Sequence, residues 1–247
     1  MKVGVIIQAR MSSTRLPGKI MRPFYHGKSI LELIVEAIGK HTNLQVVVAT
    51  STSTSDDIFV DFLKKKGVAY YRGSEDDVQS RFIEAARQYS FAGIIRVCSD
   101  NPFLDMHSLR DLQEIVETEH SYDYVSFKVN NKPSIKTHFG FWTEYISLEA
   151  LTRVRGLTSN SIYREHVTNY VYEHEHLFKV KWIEVNNNWA KREDIRLTID
   201  TYADFVIGQE IYSCLDGSIE PEEILRFINA QTALKASMQK EITINHK

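Results

Sequence analysis

The chain has 247 residues, 43% of them hydrophobic, and a formal net charge of −2 at neutral pH. This length and apolar content suit one substantial core, and the charge argues against a general nucleic-acid binder, which would be strongly basic. Two cysteines, Cys98 and Cys214, are too few and too far apart for a disulfide scaffold or a zinc site. Neither a membrane span nor a secretory signal pattern is present, so we expect a cytoplasmic protein.

The first element is a short apolar run, residues 3–7, that leads into a loop rich in cations. This pattern predicts a buried strand that delivers the loop to the carboxyl edge of a sheet. The loop holds Arg10, Arg15 and Lys19 among small and hydroxyl residues, and three crowded cations repel one another unless they share an anion. We interpret it as a polyphosphate-binding loop. A basic surface loop without a ligand is the alternative.

Residues 8–19, with the sequence QARMSSTRLPGK, resemble the opening motif of the cytidylyltransferase family that activates acidic sugars. The motif is most similar to the branch of spore coat polysaccharide biosynthesis proteins and acylneuraminate cytidylyltransferase-like proteins, and shorter pieces return along most of the chain. The resemblance implies an α/β fold: a mostly parallel, doubly wound sheet of the Rossmann-like, GT-A-type nucleotidyltransferase kind. We expect one domain over residues 1–247, with residues 122–190 as a small β-rich insertion that serves dimerisation or covers the acceptor.

Helix and strand signals alternate after the loop, as expected for an α/β sheet. Ser29 and Glu32 form a capping-box pattern before an apolar helical stripe. Residues 44–49 predict a strand that ends in a hydroxyl-rich loop, and Asp56 then opens the next helix. In the resembling family this strand and loop flank the nucleotide, which implies a contact from Thr50. For Asp56 itself we favour a structural role.

A third strand, residues 68–71, precedes the segment RGSEDDVQSR at residues 72–81. In the resembling family an arginine-glycine-serine loop and a later arginine approach the base and ribose, which implies nucleotide contacts from Arg72, Ser74 and Arg81. An arginine beside a pyrimidine can donate to its carbonyl oxygen, so Arg72 or Arg81 is a candidate for selecting cytosine. An ordinary helix capped by Ser74 explains the same letters equally well.

Residues 93–98 predict a buried strand that ends just before Ser99 and Asp100. An acidic residue at the tip of such a strand is well placed to ligate a cation, and phosphate-bound Mg²⁺ uses one or two protein carboxylates. We expect Asp100 to be the first metal ligand, which is the role of the matching aspartate in the resembling family. An Asx turn before Pro102 is the alternative.

The middle of the chain, residues 122–145, is aromatic and β-prone. Gly140 and Glu144 match a stretch of the resembling family, which implies contacts with the acceptor. Trp142 stands where that family has an aspartate, so we expect a different acceptor sugar from the family's usual ones. The alternative is that Phe141 and Trp142 pack against a neighbouring subunit.

Two later stretches also match the family. Arg164 and His166 lie in a segment that resembles one near the acceptor site, and a guanidinium matches the geometry of a carboxylate. Residues 195–200 predict a last strand that ends in Asp200, with Thr201 as the cap of the next helix. The resemblance makes Asp200 the second metal ligand. If the strands that end in Asp100 and Asp200 are neighbours, both acids share one cation.

The favoured reaction is nucleotidyl transfer, in which an acceptor oxygen attacks the α-phosphorus in line and pyrophosphate leaves. By resemblance the substrates are CTP and an acidic, nonulosonic-acid-like sugar, the cofactor is Mg²⁺, and the assembly is a homodimer. Arg10, Arg15 and Lys19 are the catalytic candidates, because they can hold the triphosphate and neutralise the departing pyrophosphate. The expected nucleotide contacts are Gln8, Ala9, Arg10, Ser12, Arg15, Lys19, Thr50, Arg72, Ser74, Arg81 and Ser99.

Other functions keep part of this pattern. A GT-A-type glycosyltransferase shares the sheet and a metal carboxylate, but it commonly uses two aspartates one residue apart, and the sequence around Asp100 lacks that pair. A non-catalytic nucleotide-binding protein would lack the metal carboxylates. Within the enzyme class, another nucleoside triphosphate, or a sugar phosphate or phosphonate acceptor, is the alternative.

Overall fold

A mixed, mostly parallel β-sheet runs through the computed structural model, which describes residues 1–185 and 187–245. The expected end of the domain at residues 246 and 247 lies outside the described residues. The strands are β1 (Val3–Gln8), β2 (Pro23–Tyr25), β3 (Lys28–Ser29), β4 (Gln45–Ser51), β5 (Tyr70–Gly73), β6 (Gly93–Cys98), β7 (Tyr124–Val129), β8 (Lys132–Pro133), β9 (Glu144–Ser147) and β10 (Val180–Glu184). The helices are α1 (Ile30–His41), α2 (Asp57–Lys65), α3 (Val78–Gln88), α4 (Met106–Thr118), α5 (Leu148–Leu157), α6 (Ser161–Glu165), α7 (Asn169–Glu173), α8 (Asn187–Ala190), α9 (Tyr202–Cys214), α10 (Pro221–Ala230) and α11 (Thr232–Ile244).

The strand order across the sheet is β10-β7-β9-β6-β1-β4-β5, with β8 paired to β7. Strand β1 is parallel to both β4 and β6, whereas β9 is antiparallel to both β6 and β7. Alternate residues of β1 enter different cores: Val5 and Ile7 face one, and Ile6 faces the other. A strand buried on both faces in this way belongs to a sheet covered by helices on both sides. The predicted α/β class is confirmed.

Several local predictions are confirmed. Strand β6 has the predicted bounds, and the Ser29–Glu32 capping box begins α1. Thr201 caps α9 and accepts a hydrogen bond from the backbone of Asp204. Residues 122–190, the expected insertion, contribute β7, β9 and β10 to the central sheet. Their role in dimerisation or in covering the acceptor stays a prediction.

Other local predictions were wrong. The sequence predicts one helix from Glu220 to about Met238, with Pro221 suited to its first turn, but the structure has two helices, α10 and α11, separated at Gln231. Asp77, not Ser74, caps α3. Residues 195–200 form no strand, although apolar side chains alternate along them. In the described part of the chain, no helix has both the length and the apolar character that crossing a membrane requires.

Candidate active site

The cationic loop after β1 is folded by its own backbone and by one distant carboxylate. The carbonyl oxygen of Met11 accepts hydrogen bonds from the amides of Ser13 at 2.9 Å and Gly18 at 3.3 Å. Gly18 has φ +67°, a left-handed conformation that glycine adopts without strain. The amide of Met11 donates to Oδ1 of Asp56 at 2.8 Å. The loop is therefore fastened to the segment that follows β4.

Asp56 is buried and joins two loops. Its Oδ2 accepts from the hydroxyl of Thr50 at 2.9 Å and from the amide of Ser51 at 3.1 Å. Burial raises the pKa of Asp56, but the hydrogen bonds from Ser51, Met11 and Thr50 outweigh it and hold the pKa below its usual value. The hydroxyl of Thr50, a predicted nucleotide contact, therefore donates its hydrogen bond to Asp56.

The two predicted metal ligands lie close together, on either side of one lysine. The ammonium of Lys19 is 3.4 Å from Oδ2 of Asp100 and 3.7 Å from Oδ1 of Asp200, and it donates to the carbonyl of Ile199 at 2.6 Å. The amide of Ile199 donates to the carbonyl of Asp100 at 2.9 Å, which joins the two segments directly. Arg15 Nη2 lies 3.0 Å from Oδ1 of Asp200. Two cations of the first loop and two distant acids thus form one cluster.

Arg196 orients the second of these acids, and sequence reasoning gave it no role. This guanidinium is buried and donates through Nε and Nη2 to Asp204 at 2.7 and 2.9 Å. Its Nη2 also donates to Oδ2 of Asp200 at 3.1 Å, and its Nη1 lies 2.7 Å from Nδ1 of His138. Burial raises the pKa of Asp204, but the Arg196 guanidinium lowers it by more, so this pKa lies below its usual value. The signal in the sequence was an arginine inside an apolar run, four residues before an acid.

A cleft of about 330 Å³ opens beside this cluster at the carboxyl ends of β1 and β6. It contains all three catalytic candidates and the predicted nucleotide contacts of the first loop. The lining residues are Gln8, Ala9, Arg10, Ser12, Ser13, Thr14, Arg15, Lys19, Ile20, Arg96, Cys98, Ser99 and Asp100.

Four of the later nucleotide candidates, Thr50, Arg72, Ser74 and Arg81, lie outside the cleft lining, whereas Ser99 is part of it. Arg72 donates to the carbonyls of Ser51 and Ser53, both at 2.9 Å, and pairs with Asp57 at 2.8 Å. Ser74 is exposed, and its hydroxyl accepts from the amide of Asp77 at 3.0 Å. Each of these contacts ties a loop to its neighbour.

Arg81 is buried yet incompletely paired. Its Nη1 donates to the carbonyl of Ser74 at 3.1 Å, whereas Nε and Nη2 are buried and have no hydrogen-bond partner among the described residues. Burial, with a smaller contribution from the nearby positive charge of Arg10, lowers the pKa of Arg81 to about 10. Buried donors without partners are uncommon and suggest that a ligand completes them. Arg81 therefore stays a candidate for contact with the base.

The predicted acceptor residues are dispersed. Gly140 has φ +70°, and a Cβ there would lie 3.1 Å from the Asn101 side-chain oxygen. Arg164 donates to Gln79 at 2.7 Å and to the carbonyl of Thr158 at 2.9 Å. Neither Arg164 nor the exposed His166 is among the residues that line the cleft.

Glu144 is buried against the cleft floor. Its Oε1 lies 2.6 Å from Nη1 of Arg96, a cleft residue that sequence reasoning missed. Phe141 and Trp142 are also buried, with ring centroids 4.7 and 6.4 Å from that of Trp189. These rings fill the interior of the chain, so packing against a neighbouring subunit does not account for them.

The acids fit a hard divalent cation. Asp100 and Asp200 both approach the Lys19 ammonium, so each offers a carboxylate oxygen to one small region. No group of three or more His, Cys, Asp or Glu side chains in residues 1–185 and 187–245 is arranged as a metal cage. Two carboxylates are nevertheless the number that phosphate-bound Mg²⁺ commonly takes from a protein.

Comparison with known proteins identifies related sequences. A family model described as cytidylyltransferase matches residues 4–242. An uncharacterized protein of Methanocaldococcus jannaschii is 35% identical over 237 residues, 95% of this chain and 93% of the relative. The spore coat polysaccharide biosynthesis protein SpsF of Bacillus subtilis is 33% identical over 215 residues, 84% of this chain and 85% of the relative. A 3-deoxy-manno-octulosonate cytidylyltransferase of Aeromonas salmonicida is 30% identical over 115 residues, 44% of each chain.

Solved structures share the fold. A cytidylyltransferase from Leptospira borgpetersenii superposes with a TM-score of 0.79 at 29% identity and covers 97% of each chain. A CMP:2-keto-3-deoxy-manno-octonic acid synthetase, solved in complex with CTP, superposes with a TM-score of 0.66. Its identity is 12%, over 87% of this chain and 100% of that one, so this second likeness concerns the fold alone.

Proposed function

The chain belongs to the cytidylyltransferase family, and from that premise we propose that it transfers CMP from CTP to an acidic, nonulosonic-acid-like sugar and releases pyrophosphate. The observation that carries this proposal is the cluster of Lys19, Arg15, Asp100 and Asp200 beside the cleft. Relatives that bear the names of a spore coat polysaccharide protein and a sugar-acid cytidylyltransferase support a role in the synthesis of a surface polysaccharide or glycan.

The cations of the first loop would bind the triphosphate. Arg10, Arg15 and Lys19 all line the cleft, and Arg15 is exposed enough to turn toward a ligand. Because pyrophosphate gains negative charge as it leaves, fixed cations near it lower the barrier. The hydrogen bond from the backbone amide of Met11 to the carboxylate of Asp56 holds the loop in place for triphosphate binding.

Asp100 and Asp200 would hold Mg²⁺. When bound, the metal would neutralise phosphate charge and lower the pKa of the acceptor hydroxyl. Arg196 would keep Asp200 oriented, since it already donates to that carboxylate at 3.1 Å. Lys19, which pairs with both acids and also lines the cleft, would bind the phosphates.

Specificity would come from residues that lie outside the lining of the cleft. The open donors of Arg81 suit the carbonyl oxygen of a pyrimidine, which favours cytosine. Gly140, Glu144, Arg164 and His166 stand as acceptor candidates, of which Glu144 has the most direct connection to the cleft, through Arg96.

A homodimer forms part of the proposal. Leu157, Ile162 and Leu177 are exposed and lie within residues 122–190. Light scattering on a gel-filtration column provides the test. A mass of twice 28.6 kDa would support the dimer, and a mass of 28.6 kDa at micromolar concentration would rule it out.

Pyrophosphate release tests the proposed reaction. Each of the four nucleoside triphosphates is combined with a panel of acidic sugars, sugar phosphates and phosphonates, with Mg²⁺, with Mn²⁺ and with chelator. We expect release with CTP and an acidic sugar, dependent on divalent metal. Release with another triphosphate, or with phosphate or phosphonate acceptors only, would overturn the assignment of the substrates.

A further inference from the structure

Arg96 lies on the floor of the cleft, in β6. Its side chain is 11% exposed, and its Nη1 lies 2.6 Å from Oε1 of Glu144 on the neighbouring strand β9. A cation in this position is unexplained by triphosphate binding, because the three cations of the first loop already line the cleft. The Arg96 guanidinium is therefore a candidate for binding a different ligand.

Glu144 holds one end of this guanidinium firmly. It is 1% exposed, and it accepts hydrogen bonds from the hydroxyls of Tyr124 at 2.5 Å and Thr168 at 2.8 Å. The carboxylate is thus fixed by donors from β7 and from the residue before α7, as well as by Arg96. A side chain fixed in this way can orient the arginine without taking part in the chemistry.

The opposite edge of Arg96 carries donors that the described residues pair incompletely. The Nε and Nη2 atoms of a guanidinium form a fork that binds a carboxylate through two parallel hydrogen bonds. In Arg196 this fork is filled by Asp204, at 2.7 and 2.9 Å. In Arg96 the Nε is buried without a hydrogen-bond partner in the described residues, and Nη2 has only the side-chain oxygen of Gln8, at 3.3 Å. Gln8 also lines the cleft and can be displaced by a better acceptor.

We infer that the Nε–Nη2 fork of Arg96 binds the carboxylate of the acceptor sugar, with Glu144 as the positioning residue. This inference rests on the proposed function and names the group that recognises its substrate class. The carboxylate replaces the oxygen of Gln8 and completes the donors that the protein leaves open. A carboxylate suits this fork in the way that Asp204 suits Arg196, whereas the phosphates have the three cations of the first loop.

The test separates acceptor binding from nucleotide binding. Pyrophosphate release is measured for the wild type with CTP and two probes, 3-deoxy-manno-octulosonate and N-acetylneuraminate, each compared with its methyl ester. The same is done for Arg96→Gln, Arg96→Lys, Glu144→Gln and the double variant Arg96→Gln/Glu144→Gln. Arg87→Gln, which removes an exposed arginine, is the control.

Loss of the fork should raise the acceptor KM of Arg96→Gln by about tenfold or more, since a site built for a polar group discriminates strongly. The KM for CTP should stay within about twofold, and the preference for acid over ester should disappear. Arg96→Lys should not restore it, because an ammonium lacks the fork. Glu144→Gln should raise the acceptor KM, and the double variant should be no worse than Arg96→Gln, since the two residues act as a unit.

Other outcomes overturn the inference. If Arg96→Gln keeps the acid-over-ester preference, or raises the KM for CTP as much as that for the acceptor, Arg96 does not bind the acceptor carboxylate. If Arg96→Gln fails to fold, Gln8→Glu decides: a carboxylate at that position should fill the fork from within and raise the acceptor KM, and an unchanged KM refutes the inference. A wild type that uses neither probe nor any other acidic sugar refutes the proposed function first.

Discussion

Two arginines in this molecule each precede an aspartate of the candidate active site by four residues, yet they have different partners. Arg96 lies in strand β6, where an extended chain advances about 3.3 Å per residue, and it pairs across the sheet with Glu144 instead of Asp100. Arg196 lies in a segment that forms no strand, and it reaches Asp200 at 3.1 Å. The same spacing therefore has two outcomes, because the local backbone decides which side chains meet.

The two aspartates also differ in the exposure of their side chains and in their ion pairs. The Asp200 side chain is 11% exposed and has ion pairs with Arg15, Lys19 and Arg196. The Asp100 side chain is 27% exposed, and its ion-pair partner among the described residues is Lys19. We therefore expect Asp200 to be a fixed part of the fold and Asp100 to be free to exchange its partner for a ligand.

Neutralising each aspartate is the strongest test of the contrast. Asp100→Asn and Asp200→Asn should both lower turnover by roughly 10³-fold, because each removes charge aimed at the reacting phosphate. Only Asp200→Asn should also lower the free energy of unfolding, by about 1–3 kcal/mol, since it leaves the buried Arg196 without one acceptor. Pyrophosphate release and urea unfolding measure the two effects. Asp111→Asn, an exposed site, is the control, and near-normal turnover would remove the aspartate concerned from the mechanism.

Removing Arg196 should cost stability first. Arg196→Met removes the ion pair of the buried Asp204 and one of the ion pairs of Asp200, and breaking a buried pair from one side costs about 3–5 kcal/mol. Urea unfolding measures this loss, and Arg226→Met, which removes an exposed pair at 3.9 Å, should change stability by less than about 1 kcal/mol. A small effect at Arg196 would mean that Asp200 does not depend on it.

The two loop cations should differ in the same sense. Lys19 is buried between both acids, whereas the Arg15 side chain is 51% exposed. Lys19→Ala should raise the KM for CTP by roughly 10- to 100-fold and Arg15→Ala by roughly tenfold, because a less solvated charge interacts more strongly. Initial rates across a CTP series measure both. Equal effects would show that burial does not separate their roles, and Lys28→Ala, far from the cleft, serves as the control.

The sequence predicted the parts of this arrangement that are local. The apolar run before the loop, the cations within it and the strand before Asp100 all lie within one or two elements, so pattern alone located them. The pattern did not predict the tertiary partners. Asp56 accepts a hydrogen bond from Met11, 45 positions away, and Arg96 donates to Glu144, 48 positions away. The pattern of apolar and polar residues predicts which side chains are buried, but it does not predict which polar groups form hydrogen bonds with each other.

The segment at residues 195–200 shows the same limit in the backbone. Ile195, Leu197 and Ile199 are all buried, so their alternation correctly predicted burial. Their amides do not join a ladder, however: the Leu197 amide donates to the carbonyl of His138, and that of Ile199 to the carbonyl of Asp100. No glycine or proline interrupts the helical pattern at Gln231, so the sequence carried no signal for the break there. At residues 195–200, tertiary hydrogen bonds decide the backbone.

Asp56 extends the comparison to a carboxylate that is held without an arginine. Its partners are the amides of Met11 and Ser51 and the hydroxyls of Thr50 and Ser51, so Asp56→Asn keeps the shape but loses the charge. We expect a loss of about 1–2 kcal/mol in the free energy of unfolding at neutral pH, a typical cost for a weakened buried hydrogen-bond group. The KM for CTP should also rise, because the loop loses its attachment.

The pH dependence identifies the charge as the cause. Because the pKa of Asp56 is lower in the folded chain than in the unfolded chain, its ionised form contributes stability above the unfolded value of about 4, and that contribution is lost as the pH falls through the folded pKa. The difference in unfolding free energy between wild type and Asp56→Asn should therefore be constant near neutrality and shrink below about pH 4. Urea unfolding at a series of pH values measures it. A difference that stays constant down to pH 2 would assign the effect of Asp56→Asn to packing. The charge of Asp56 would then not stabilise the fold, in contrast to the carboxylates that pair with Arg196.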